Sequence, residues 1–162
     1  MFKEGDKIVY PNQGVGIIDL IEEKEFHGEL KKFCNIHLLH NSLKLMLPFN
    51  KLENSNIRLV SDVNTLETVL SNIKKYNMDD EFLSKSKCKD RYEINLAKIK
   101  SGTLKDYVDV FSNLYYARKQ HSLNSSENQM YNTTKKLLSE EISLIKNITK
   151  DEASDLLTHL LA

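Results

Sequence analysis

Up to about residue 60 the apolar residues of this chain recur at every second position in short runs; beyond it they recur every third or fourth. The first half reads as five strands, over residues 7–10, 15–26, 31–39, 43–47 and 57–60. Turn-forming residues separate them: Pro11 to Gly14, His27-Gly28, His40-Asn41-Ser42 and Asn54-Ser55-Asn56. Five short strands joined by short turns predict a small β-barrel of the SH3 or Tudor kind. In the fourth run Leu43, Leu45 and Leu47 face one way and Lys44 and Met46 the other, which assigns the leucines to the core. Pro48 cannot donate to a sheet ladder, so it ends that strand or marks an edge.

The second half is helical. Residues 62–76 place Val63, Leu66, Val69, Leu70 and Ile73 on one face, and residues 79–84 form a short helix. Residues 90–100 carry Tyr92, Leu96 and Ile99 at helical spacing, and Ser101-Gly102 stops that helix. Thr103 caps the next one, whose stripe is Leu104, Val108, Phe111, Tyr115 and Arg118. The aromatics Tyr92, Phe111 and Tyr115 then belong to the core, and Tyr107 and Tyr116 to a surface or a domain junction. Asn124 with Glu127, and Thr149 with Glu152, have capping-box spacing and open a long helix to about Lys146 and a terminal helix. The expected fold is α+β: a five-stranded barrel over residues 1–60, then an all-helical domain over residues 61–162.

Composition narrows the class. Of 162 residues 40% are apolar and 28% charged, the balance of a soluble globular protein. No stretch has the ~20 apolar residues of a membrane span, and MFKEGDK has no apolar leader core, so a cytoplasmic protein without membrane contact is expected. Two cysteines, Cys34 and Cys88, fit free thiols in a reducing compartment. Net charge is zero but unevenly spread. Residues 85–105 hold seven cations (Lys85, Lys87, Lys89, Arg91, Lys98, Lys100, Lys105) against Asp90 and Glu93. That excess is enough to meet a few phosphates; on composition alone a solvated helix face is the favoured reading.

Candidate chemistry is sparse. Cys34-x-x-His37-x-x-His40 has metal-like spacing, but residues three apart on a strand point to opposite faces, so the side chains do not converge. No nucleophile elbow, phosphate loop or dinucleotide fingerprint occurs, and Asp79-Asp80-Glu81 suits a helix first turn. The expectation is no catalytic residue, metal or cofactor, and a protein that works through its surfaces. An edge strand carrying Lys44 and Met46 offers one such surface.

The segment GDKIVYPNQGVGII, the Glu23-Lys24 pair before the His27-Gly28-Glu29 turn, and Met46-Leu47-Pro48 followed by Ile57-Arg58 resemble the RNA-polymerase-interaction module of the CarD/CdnL bacterial transcription regulators. Further on, Asp90-Arg91-Tyr92-x-x-Asn95-Leu96-x-Lys98-Ile99-x-Ser101-Gly102 and Leu123-Asn124-Ser125-Ser126-Glu127 resemble their helical domain, in the same order and spacing. The resemblance implies a barrel that docks on the β subunit of RNA polymerase, through Lys24, Lys44, Met46 and Pro48. It also implies a helical domain that contacts promoter DNA without reading sequence, at the upstream edge of the transcription bubble, through Lys87, Cys88, Lys89, Arg91 and Lys98. The family's wedge tryptophan lies four residues before the motif tyrosine. This chain contains no tryptophan and has Cys88 there. A thiol stacks far less than an indole, a loss worth ~1–3 kcal/mol by analogy with base stacking. Phe82 and Leu83 are substitute apolar wedges. Two further outcomes stay open: an adaptor that binds polymerase without DNA, and a homodimer paired through the exposed barrel edge.

Overall fold

A computed structural model describes residues 2–76, 88–120 and 122–162. The chain separates into two units, Met1–Val60 and Ser61–Ala162.

The first unit is a five-stranded antiparallel sheet: β1 (Lys7–Tyr10), β2 (Gly14–Phe26), β3 (Glu29–Leu38), β4 (Lys44–Pro48) and β5 (Arg58–Leu59). Their order across the sheet is β4-β3-β2-β1-β5, so every connected neighbour but β5 pairs with the strand before it. His27 and Gly28 both take positive φ, 53° and 78°, and close β2 onto β3 in a two-residue turn. Gly16 is needed for a different reason: a Cβ there would lie 2.8 Å from the His37 carbonyl oxygen. A bulge at Asp19 interrupts the pairing between Ile18 and Leu20 and re-phases the rest of β2. Ile8, Ile18, Cys34, Ile36, Phe49, Leu52 and Ile57 form the core of this sheet.

Two of those core residues come from a helix the pattern does not announce. Directly after Pro48, α1 (Phe49–Glu53) turns Phe49 and Leu52 onto the core. Five residues hold too few apolar positions to show a helical period. The leucine face of the fourth run is only partly core. Leu47 packs against the cluster and Leu45 is half-buried, but Leu43 precedes β4 and is exposed. Pro48 is the last residue of β4, which is an edge strand.

The second unit comprises α2 (Val63–Ser71), a 3-10 turn (Ile73–Tyr76), α3 (Cys88–Ser101), α4 (Leu104–Gln120), α5 (Ser125–Lys146) and α6 (Lys150–Leu161). Asp62 caps α2 by accepting from the Thr65 N–H at 2.7 Å; that bond holds its carboxyl below the usual range. The helix expected over 62–76 therefore ends at Ser71 and tightens into the 3-10 turn, and Val63 at its start is exposed rather than core. The helix expected over 79–84 lies outside the described residues. Thr149 caps α6: the Glu152 N–H donates to its hydroxyl, which donates to the Glu152 carboxylate, both at 3.1 Å.

The centre of this unit is α4. Every residue from Tyr107 to Leu114 is buried. The helix is flanked on several sides, and Tyr107 is buried like Phe111 and Leu114; the expectation of a surface position for it is corrected. Phe111 stacks on Tyr131 of α5 at 5.2 Å. Arg118, expected on the core stripe, is exposed, with its guanidinium 4.5 Å from the Tyr131 ring. No helix among the described residues is long and apolar enough to cross a membrane.

Candidate interaction surfaces

The register of β2, β3 and β4 determines what the outer face of the sheet presents. Leu20 and Met46 both lie opposite Asn35, Glu22 and Pro48 opposite Phe33, Lys24 opposite Lys31, and Lys44 opposite His37. Since side chains alternate, these positions share one face, while Ile18, Cys34, Ile36 and Leu47 point inward. The four residues singled out from the sequence, Lys24, Lys44, Met46 and Pro48, thus lie together on one exposed face. The Lys24 ammonium sits 3.7 Å from the Met46 sulfur and 3.2 Å from Glu22. Met46 is 54% exposed although it lies in the middle of a strand. The strand that carries it pairs only with β3 among the described residues, so its other edge offers backbone donors and acceptors.

Beside Lys44, the His37 ring nitrogen Nδ1 bonds the Asp19 carboxylate at 2.7 Å. The bulge supplies this contact by giving Asp19 a position outside the regular alternation. Cys34 faces the core and His37 the outer face, so the Cys-His-His spacing does not converge. No group of three or more potential ligands among the described residues could hold a metal. Burial pushes the Cys34 thiol up to about 11, and the negative charge of Asp19 adds to the effect.

The helical unit distributes its basic residues differently from expectation. Lys87 lies outside the described residues. Cys88 opens α3 and Lys89 follows it; their side chains are likewise outside what is described. Arg91 is a correction. It points inward, is 3% exposed, and its guanidinium meets both carboxylate oxygens of the fully buried Glu127, at 3.1 and 3.4 Å. Asn95, one turn further, is also buried, and its side-chain oxygen accepts from Asn113 at 3.5 Å. The most buried positions of α3 are thus Arg91, Asn95 and Ile99; of the expected stripe Ile99 is buried, and Tyr92 and Leu96 are half-buried beside it. A polar arginine and asparagine at core spacing are what periodicity in apolar residues passes over.

Lys98 remains partly accessible. Its ammonium is 3.2 Å from Asp109 of α4, and Lys105 shares the same carboxylate at 3.3 Å. Two cations thus share one anion, and Lys100 is exposed nearby in sequence. Outside the expected set, the end of α4 presents Tyr115, Tyr116 and Lys119; the Lys119 ammonium lies 4.7 Å from the Tyr115 ring. The Arg118-Lys119 pair at the end of an aromatic stripe was the sequence signal for this surface.

Comparison with known proteins bears on both units. Residues 2–61 match the CarD-like/TRCF RID domain, and residues 71–158 match the CarD C-terminal domain. A protein of Bacillus subtilis (strain 168) named "Putative transcription factor YdeB" is 37% identical over 152 residues, covering 94% of this chain and 97% of its own length. With both units matched in order, and such identity over nearly the whole length, the chain belongs to the CarD-like family of transcription regulators.

Proposed function

We propose that this regulator docks on the β subunit of RNA polymerase through the outer face and free edge of β4, with Lys24, Lys44, Met46 and Pro48 as contacts. Its helical unit then modulates open-complex stability at promoters through sequence-independent phosphate contacts. The observation that carries the reading is the clustering of those four residues on one exposed face of the RID-like sheet. A protruding Met46 between two lysines, at an edge that can accept another strand, is a surface suited to strand addition: main-chain bonds supply affinity and side chains supply specificity. The same compartment as the polymerase, the bacterial cytoplasm, follows from this role. The test is capture of the isolated β-subunit lobe by the full chain. Wild type is expected to bind, and Met46→Asp to weaken binding at least roughly tenfold by setting a charge on the apolar contact. Wild type that fails to bind the lobe refutes docking.

The burial of Arg91 favours keeping a second reading, an adaptor that binds polymerase without touching DNA. With Arg91 committed to Glu127, the phosphate contacts reduce to Lys87, Lys89 and Lys98, with Cys88 where the family carries its wedge. Charge reversal of Lys87, Lys89 and Lys98 separates the two. The DNA reading expects loss of the effect on transcription in vitro; the adaptor reading expects none. A homodimer through the β4 edge would compete with docking for one surface, and sedimentation of the full chain would reveal it.

A further inference from the structure

Met46 combines an exposed thioether with an ammonium group fixed beside it. It lies in the middle of β4, directly opposite Asn35, and its side chain projects from the outer face, 54% exposed. With Lys24, Phe26, Phe33 and Pro48 it lines an open apolar groove of about 970 Å³, so a small solute reaches the sulfur from solvent. The ammonium is held from a second side. Lys24 Nζ donates to the Met46 sulfur at 3.7 Å and meets Glu22 Oε1 at 3.2 Å. That carboxylate oxygen also accepts from the Asn35 side-chain amide at 3.4 Å. The contacts thus run from β3 through β2 to β4 and end on the residue opposite their start. A thioether sulfur is a weak acceptor, so this donor is poorly used as it stands. Leucine would supply nearly the same apolar volume; what methionine adds at this position is a sulfur that can be oxidised.

We propose that Met46 is a reversible oxidation site, at which hydroperoxides convert the thioether to a sulfoxide whose oxygen is then held by the Lys24 ammonium. A sulfur lone pair attacks one oxygen of hydrogen peroxide, and the O–O bond breaks. The transferred oxygen gives up its proton to the departing one, which leaves as water. Sulfur loses two electrons and the peroxide gains them. The sulfoxide oxygen accepts far better than the sulfur did, so the Lys24 donor exchanges a weak bond for a charge-assisted one. Because the side chain stands outside the core, β4 keeps its ladder and the change is confined to the surface. Met130 is the contrast: it is 6% exposed among packed helices, where a sulfoxide disrupts a core. Cys34 does not compete in the folded chain, being fully buried with its thiol protonated. The consequence for polymerase rests on the docking reading. A polar side chain bound to Lys24 replaces the apolar contact, so oxidation releases the regulator and reduction restores it.

The first arm of the test needs no polymerase. The full chain is treated with dilute hydrogen peroxide, and its four methionines are followed by peptide mass spectrometry. Met46 is expected to convert at least roughly tenfold faster than Met130, which reacts only through local opening. With isotope-labelled lysine, the Lys24 ammonium resonance is expected to shift as Met46 converts, and to stay in place in Met46→Leu. Conversion of Met46 no faster than that of Met130 overturns the site. Full conversion with an unmoved Lys24 resonance overturns the capture of the sulfoxide. The second arm measures affinity for the isolated β lobe by fluorescence anisotropy before and after peroxide. Oxidation is expected to weaken wild type at least roughly fivefold, through the cost of burying a polar group in the contact. Methionine sulfoxide reductases A and B are expected to restore binding; dithiothreitol alone, which reverses disulfides and sulfenic acids, is not. Met46→Leu sets its own baseline, which peroxide is expected to leave unchanged. A loss that Met46→Leu shares assigns the effect to another residue and overturns the switch. Undiminished binding with Met46 fully oxidised also overturns the switch and leaves docking intact. A reduced chain that never binds the lobe overturns docking and the switch together, and the mass spectra still decide the oxidation site.

Discussion

Arg91 shows how one side chain changes role between sequence and structure. In the chain it stands among lysines and reads as one more phosphate contact. In the fold it is the bridge from α3 to the first turn of α5, where Asn124 already accepts the Glu127 N–H at 2.8 Å. Glu127 therefore uses its backbone for the cap and its carboxylate for the arginine. A buried ion pair contributes little net stability against an apolar pair of like shape, yet removing one partner strands the other charge. Glu127→Gln keeps the shape and is expected to destabilise by about 3–5 kcal/mol in urea unfolding. Arg91→Met combined with Glu127→Leu is expected to recover most of that loss. A Glu127→Gln variant as stable as wild type would mean that the guanidinium is satisfied elsewhere. Cys34 makes the complementary case, a reactive group type made inert by burial. Its thiol, raised to about 11, stays protonated in the folded chain where the unfolded chain, with its ordinary value of 9.0, ionises. The unfolded state then binds fewer protons, so this group contributes stability below about pH 9 that is lost as pH rises towards 11. Wild type should lose stability relative to Cys34→Ala across that window; a constant difference between the two would show that the thiol titrates normally.

The elements differ in how openly the sequence declares them. β1 and β2 are set off by the Pro11 to Gly14 turn and the His27-Gly28 turn, and their boundaries fall within a residue of those expected. Capping residues Thr103, Asn124 and Thr149, named from the sequence, accept from the N–H groups of residues 106, 127 and 152. Where burial is not one-sided the pattern fails. α4 is surrounded, so a single stripe understates its core and misplaces Tyr107. Two of the three most buried residues of α3, Arg91 and Asn95, are polar, so hydrophobic periodicity passes over them. α1 is too short to have a period at all. Close approach is equally invisible in a single sequence: Gly14 and Gly16 look alike there, yet at Gly16 it is space that forbids a side chain. A Cβ at Gly16 would also meet Ile36 Cγ2 at 3.1 Å and Leu38 Cδ2 at 3.2 Å. Backbone cannot yield as a flexible side chain does, so Gly16→Ala is expected to cost roughly 1–3 kcal/mol by overpacking β2 against β3. A thermal melt of the variant checks it, and an unchanged midpoint would mean that the strands separate at little cost.

At the level of the entire chain the two units present surfaces of different strength. The barrel's outer face offers an edge, an apolar groove and a cluster of lysines, whereas the helical unit offers scattered lysines, two of which, Lys98 and Lys105, share Asp109. Covalent linkage reconciles this asymmetry with an action at promoters. Once the barrel is docked, the helical unit meets nearby DNA at an effective concentration that reaches the millimolar range for short linkers, so weak phosphate contacts suffice. The proposed role then requires that DNA contacts matter only in the docked state. It also makes Cys88 the informative position, since an indole there adds stacking without altering the docking face. Cys88→Trp is expected to lengthen the lifetime of open complexes in transcription in vitro with the cognate polymerase. The bound is the ~1–3 kcal/mol of one base–aromatic stack, or roughly 5- to 150-fold. Combining it with Met46→Asp should abolish the gain, because the tether that presents the indole is lost. An increase that survives the loss of docking would mean that the helical unit finds DNA by itself. No increase in the docked state would mean that position 88 does not face the DNA, and would leave the adaptor as the reading to pursue.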